Sequence, residues 1–92
     1  EDIQAQEPAM IRIVIDRAGH FFIDDREVAD TRAATLARLL TERRGEDSMI
    51  PVLIQADANT PHQAVMTAMD AASQAGLSRI AFAATRSKDA AP

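Results

Sequence analysis

Two histidines and one aspartate are the side chains whose type or position could support chemistry. His20 and His62 are the only histidines in the chain, and histidine is the most frequent general base in enzymes. Neither has the spacing to a Ser, Cys or carboxylate that specifies a nucleophilic or metal site, so we expect both to be structural or inert. Asp57 follows an apolar run, where many α/β sheets bind ligands, but aspartate there more often accepts hydrogen bonds from loop amides. The sequence therefore predicts no enzyme, no metal site and no cofactor.

A small-molecule sensor or enzyme built on residues 57–60 is the alternative from a different functional class. It requires an enclosed pocket with converging polar groups near Asp57. The three glycines are isolated along the chain, so no glycine-rich phosphate loop supports this alternative.

Composition excludes several other classes of protein. The chain has 92 residues, of which 47% are hydrophobic and 26% charged, as in one folded domain. The absence of cysteine excludes disulfides and zinc-thiolate sites. A net charge of −4 and the absence of Trp and Tyr argue against a nucleic-acid partner. The longest nearly apolar run, 49–54, is far shorter than the roughly 20 residues that cross a bilayer.

Alternating or continuous apolar residues predict four strands, over 10–16, 20–24, 51–56 and 79–85. The first two form a hairpin, and Val28 begins a very short further strand. The run 51–56 is apolar enough to be an interior strand covered on both faces. In the last strand, the alternation of Ile80, Phe82 and Ala84 with Ala81 and Ala83 predicts a core position for Phe82.

Two amphipathic patterns predict helices. The first begins at Thr31 after an N-cap at Asp30, buries Ala33, Leu36, Ala37 and Leu40, and ends near Arg44. The second begins at Thr60–Gln63, which is read as a capping box with proline at the first helical position. It packs Val65, Ala68, Met69 and Ala72 inward and ends at Gly76.

The predicted fold is therefore α+β, in the order β-β-α-β-α-β, with a mixed sheet and both helices packed on one face. Residues 9–85 form the domain, while 1–8 are predicted to be a flexible linker and 86–92 a flexible tail. The second face of the sheet is thinly covered, so a partner or a second copy of the chain could pack there. The lack of an initiator Met suggests that Glu1 is an internal cut point.

The chain resembles the periplasmic domain of the ExbD/TolR family, and ExbD more closely. The resemblance covers residues 9–85 and is carried by several short stretches of sequence. These are the Ile-rich first strand, Gly-His-Phe-Phe-Ile-Asp at 19–24, Val-Leu-Ile-Gln-Ala-Asp at 52–57, Thr-Pro-His-Gln-Ala-Val-Met at 60–66, Met-Asp-Ala-Ala at 69–72, Gln-Ala-Gly-Leu at 74–77 and Ile-Ala-Phe at 80–82. Many relatives have tyrosine where this chain has His62, so a role for that aromatic ring does not carry over.

The resemblance implies the periplasmic part of a homodimeric subunit of a proton-motive-force-driven motor. Such a subunit is anchored in the inner membrane by one helix, which would lie upstream of Glu1, bear the proton-responsive aspartate and contact ExbB. None of Asp16, Asp57 and Asp70 is then the proton-carrying residue. An ExbD-like domain would bind and energise TonB for TonB-dependent transport across the outer membrane. A TolR-like subunit, which binds peptidoglycan in the Tol-Pal envelope system, is the alternative.

The last predicted strand is the expected partner-binding site. An exposed sheet edge offers unpaired N–H and C=O groups that an extended segment can pair with. The predicted partner-binding residues are Arg79, Ile80, Ala81, Phe82, Ala83, Ala84 and Thr85.

Overall fold

The computed structural model of this chain describes residues 9–85, which form five strands and two helices. In chain order these are β1 (Ile11–Ile15), β2 (Phe21–Ile23), β3 (Arg26–Glu27), α1 (Ala33–Arg44), β4 (Val52–Asp57), α2 (His62–Gln74) and β5 (Ile80–Thr85). The predicted α+β class and order of elements are confirmed. The predicted linker at 1–8 and tail at 86–92 lie outside the described residues.

The strands form one mixed sheet in the order β3-β2-β1-β4-β5. β1 pairs antiparallel with β2 and parallel with β4, β2 pairs antiparallel with β3, and β4 pairs parallel with β5. The parallel pairs require crossover connections, which α1 and α2 supply. β4 has a neighbour on each side, so its predicted interior place in the sheet is confirmed.

The core lies on one face of the sheet. Ile11, Ile13 and Ile15 of β1 are at most 1% exposed, whereas the residues between them are half-buried. β4 shows the same alternation, so the prediction that both of its faces are covered is wrong. Leu53 is apolar but lies on the open face, where neither helix of residues 9–85 packs against it. Hydropathy alone does not distinguish that face from the core.

Both helices pack on the buried face, side by side. α1 lies on the β2–β3 side, where Arg43 donates a hydrogen bond from Nε to Asp24 Oδ2 over 2.6 Å. α2 contacts α1 and β1. The start of α2 comes close to the β1–β2 turn at Gly19, whose φ is +90°, and a Cβ there would lie 3.6 Å from that of Ala64. Glycine suits this position both for its backbone angle and for the close approach of the helix.

The starts of both helices differ from the prediction. Asp30 does not cap α1 directly, because the helix begins at Ala33 and the Asp30 carboxylate accepts hydrogen bonds from the Arg32 N–H and the Thr35 hydroxyl. The capping box at Thr60–Gln63 is also wrong. Thr60 Oγ1 donates to the carbonyls of Ile15 and Asp16 instead, at 3.2 and 2.9 Å. Its hydroxyl therefore holds the β4–α2 loop against the end of β1, a long-range contact that local spacing does not reveal.

The β2–β3 hairpin is tighter than expected. Asp24 and Asp25 both have positive φ, 47° and 74°, as in the two-residue turns whose twist matches that of paired strands. The short strand is Arg26–Glu27, so the prediction that it begins at Val28 is wrong. Val28 is 6% exposed and belongs to the core. The predicted helix ends are confirmed, since α1 ends at Arg44 and α2 ends two residues before Gly76, whose φ is +77°.

Candidate functional site

β5 forms an edge of the sheet and pairs with β4 on one side. At its two ends, the carbonyls of Arg79 and Thr85 accept hydrogen bonds from the N–H groups of Val52 and Ala58, at 2.8 and 2.6 Å. Alternate residues of a parallel strand direct N–H and C=O to the same neighbour, so the odd-numbered residues from 79 to 85 face β4. The backbone groups of Ile80, Phe82 and Ala84 therefore point away from the sheet, and no strand within residues 9–85 pairs with them. We call these outward groups the β5 edge.

The opposite edge of the sheet is protected in a way that β5 is not. β3 has two residues, Arg26 and Glu27, and both are charged and exposed. Short length and charge are the usual devices that prevent an edge strand from pairing with another chain. β5 has six residues and neither a charge nor a proline. Of the two edges, β5 is the one suited to accept a further strand.

Phe82 is half-exposed, so its predicted core position is wrong. It pairs in register with Ile54, which is fully buried, and therefore shares the helix-facing side of the sheet. Its side chain is nevertheless 53% exposed. Alternation correctly assigns the face of Phe82, but it does not show that β5 is an edge strand, whose outer side no other strand of residues 9–85 covers.

The predicted partner-binding residues all lie on or beside this edge. Arg79 precedes β5, and its Nη1 lies 3.5 Å from the carbonyl oxygen of Met49. Ile80, Phe82 and Ala84 share the helix-facing side. Ala81, Ala83 and Thr85 alternate with them and therefore lie on the open face of the sheet.

The sequence did not indicate Met69 of α2 as a candidate site residue. Met69 was predicted to be buried, but it is 44% exposed, and Met66 is 47% exposed. Ala68 and Ala72 are buried as predicted, and Ala71 is the third buried residue of α2. The sequence signal for this outcome is the alanine run, because small residues let α2 approach its neighbours closely and push the longer Met69 side chain to the flank.

Two surface depressions of the described residues lie away from the alternative small-molecule site at Asp57. One surface depression lies between β2–β3 and α1, lined by Ile23, Val28 and Leu39 among others, and a second lies at the start of β4 and β5. Neither is lined by Asp57. Asp57 Oδ1 accepts a hydrogen bond from the Asn59 N–H over 2.8 Å, which is the loop role expected for it.

The sequence matches a known protein family. A profile described as biopolymer transport protein ExbD/TolR matches residues 1–87. The chain belongs to the ExbD/TolR family. No curated protein matches it in a sequence search. The family assignment makes the chain a biopolymer transport protein, and it does not separate ExbD from TolR.

In this ExbD/TolR domain, one of the two histidines, His20, takes part in a turn that Asp16 organises. Asp16 Oδ1 accepts hydrogen bonds from the N–H groups of Ala18 and His20 at 3.0 and 2.8 Å, and His20 Nδ1 lies 3.2 Å from Asp16 Oδ2. Partial burial raises the pKa of Asp16, but the hydrogen bonds from His20 and Ala18 outweigh it and hold the pKa below its ordinary value of 3.8. His62 is exposed at the start of α2.

An Asp16→Asn variant is expected to lose less stability in acid than the parent ExbD/TolR domain. Because the pKa of Asp16 is lowered by folding, its stabilisation is complete above the unfolded value of 3.8 and is lost as the pH falls through the folded value. Asparagine keeps an oxygen that accepts the turn N–H groups but does not titrate. Urea midpoints measured from pH 6 to pH 3 should converge for the two proteins at low pH. Parallel declines would contradict the role given to Asp16.

Metal binding and membrane crossing are two further properties that side chains or helices of the ExbD/TolR domain could indicate. No group of three or more potential ligands that could hold a metal ion occurs in residues 9–85. Over the same residues, neither helix has the length and hydropathy needed to span a bilayer.

Proposed function

We propose that this domain is the periplasmic part of an ExbD-like subunit and that its β5 edge binds an extended segment of TonB. The subunit would be anchored in the inner membrane by one helix beside ExbB and would use the proton motive force to energise TonB for transport across the outer membrane. The domain would then be a binding and force-transmitting module, not an enzyme.

One observation carries this proposal: β5 is a six-residue edge strand without charge or proline. The strand at the other edge of the sheet, β3, is short and charged. An uncharged edge of this length is an aggregation hazard unless a partner occupies it. Membership of the ExbD/TolR family, whose members are biopolymer transport proteins, supports a protein partner.

Strand addition also suits transmission of force. An added strand would form hydrogen bonds with Ile80, Phe82 and Ala84 along one line. Pulling along the strand direction would load these bonds together. β5 is itself paired with β4, which is bonded to β1 at the centre of the sheet, so the load would reach the core directly.

As part of the proposal, the same edge would also form a homodimer. Two β5 strands from two copies could pair about a two-fold axis, which is the commonest symmetry of soluble oligomers. A dimer of this kind would compete with TonB for the edge. Sedimentation of the chain with and without TonB peptide tests this, and dimerisation that is unaffected by bound peptide would assign the dimer to another surface.

Titration of the isotope-labelled chain with peptides from the periplasmic part of TonB tests the proposal. We expect amide shifts at Ile80, Phe82 and Ala84, whose N–H groups point outward, and smaller shifts at Ala81 and Ala83. Shifts confined to residues 1–8 and 86–92 would contradict binding at the β5 edge.

Purified peptidoglycan separates the TolR-like alternative from the ExbD-like one. A TolR-like domain should sediment with insoluble peptidoglycan, whereas binding of TonB peptide without that sedimentation supports the ExbD-like assignment. The same preparation of the chain should be used for both measurements, so that folding is not a variable.

A further inference from the structure

Three of the large exposed apolar side chains, Met66, Met69 and Phe82, are 47%, 44% and 53% exposed. Phe82 lies on the helix-facing side of β5, because it is in register with buried Ile54. The positions of the two methionines on α2 decide which of them forms one surface with Phe82.

The buried residues of α2 orient its methionines. At 3.6 residues per turn, Ala71 lies about 60° and Thr67 about 100° from fully buried Ala68 in one direction, whereas Met69 lies about 100° from it in the other. Ala71 is fully buried and Thr67 half-buried, so their side of α2 is the one that packs against α1. Met69 therefore lies on the flank that faces away from α1, whereas Met66, about 160° from Ala68, points away from the core.

That flank points towards β5. α1 occupies the β2–β3 end of the sheet, where it lines a depression with Ile23 and Val28. β5 is at the opposite end of the sheet. α2 and β5 are each about 20 Å long, from 13 helical and 6 extended residues, and Met69 and Phe82 are both near the middle. We call Met69 and Phe82 the apolar ledge.

The ledge lies beside the β5 edge. In a strand added to β5, residues opposite Ile80, Phe82 and Ala84 would direct their side chains to the helix-facing side, and so towards the ledge. The intervening residues would lie beside Ala81, Ala83 and Thr85 on the open face, where the neighbouring side chains are small.

We propose that the β5 edge selects an extended segment with apolar side chains at alternate positions, seated on the apolar ledge, and polar side chains between them. This rests on the proposed function, and it specifies the chemistry of the partner. Unbranched methionine adapts to different apolar side chains, so the requirement is for apolar character in the right phase and not for one residue type. A charged side chain in that phase would lie on a surface with no opposite charge from 80 to 85.

Two synthetic peptides of equal composition test the proposal with the 92-residue chain. In one, valine and threonine alternate over six residues, and in the other three threonines precede three valines. A slip of register cannot place all three valines of the second peptide in one phase. We expect the alternating peptide to bind about tenfold more tightly, since it buries more apolar area on the ledge.

A variant of the ledge separates this inference from the proposed function. Met69→Gln should weaken binding of the alternating peptide about fivefold and change binding of the block peptide little. Met49→Gln is the matched control, because Met49 is 56% exposed in the loop before β4, outside the ledge. If both peptides shift the amides of β5 with equal affinity in parent and variant, the requirement for apolar side chains at alternate positions is wrong. Strand addition to β5 would still be supported. If neither those peptides nor TonB peptides shift these amides, both proposals are wrong.

Discussion

Ala84→Pro is expected to weaken binding of an extended partner by about tenfold while the domain stays folded. The N–H of Ala84 points outward from β5, so proline there removes a hydrogen bond to the partner and none to β4. Its ring also obstructs the approach of a neighbouring strand. Proline is tolerated on an edge strand where the N–H faces solvent. Peptide affinity from the amide titration and a urea unfolding curve measure the two effects.

Ala83→Pro is the matched control for this variant. Ala83 is adjacent, has the same side chain, and directs its N–H to β4. Proline there removes a bond of the β4–β5 ladder and should lower the free energy of unfolding by about 1–3 kcal/mol. Equal loss of stability in both variants would contradict the alternation deduced for β5, and unchanged affinity in Ala84→Pro would exclude β5 as the binding edge.

Ile54→Ala is expected to destabilise the domain by about 2–5 kcal/mol, and Phe82→Ala by about 1 kcal/mol or less. The two residues are register partners on neighbouring strands. Ile54 is fully buried, so its truncation leaves a cavity, whereas Phe82 is 53% exposed and its truncation leaves little unfilled space. For a domain whose total stability is about 5–15 kcal/mol, the first change is a large fraction of the whole. Chemical denaturation of both variants checks the difference.

Truncation of Phe82, the larger side chain, is therefore predicted to lower the free energy of unfolding less than truncation of Ile54. If Phe82→Ala cost as much as a buried phenylalanine, about 3–5 kcal/mol, Phe82 would be covered in solution and the ledge would not be available to a partner. Reduced peptide binding by a stable Phe82→Ala variant would agree with its assignment to the ledge. Ala81→Ser, on the open face of the same strand, should change neither stability nor binding appreciably.

Much of the fold follows from short-range patterns. The alternation in β1, the apolar stripe of Leu36 and Leu40 and the left-handed glycine after α2 predict the elements to within a few residues. The helix starts were predicted less well, because Asp30 and Thr60 form hydrogen bonds that local spacing does not specify. Thr60 is the clearer example, since its partners are the carbonyls of Ile15 and Asp16 in a distant strand.

The candidate site was also predicted in part from short-range patterns. The predicted strand 79–85 lies at the edge of the sheet, and its role in partner binding stays a prediction. The apolar ledge was not predicted, because the exposure of Met69 and Phe82 depends on what lies beside α2 and β5. Residue type alone favoured a core position for both.

The amino-acid sequence by itself determined the periodicity of each element, the alternation of faces along the strands and the resemblance to the ExbD/TolR family. These properties depend on neighbours within a few positions and on residue type. The order of the strands, and with it the exposed edge beside Phe82, was decided by the tertiary structure. The physical reason is that burial is a property of the whole packed layer: an apolar residue is covered where another element lies over it, and β5 has such a neighbour on one side.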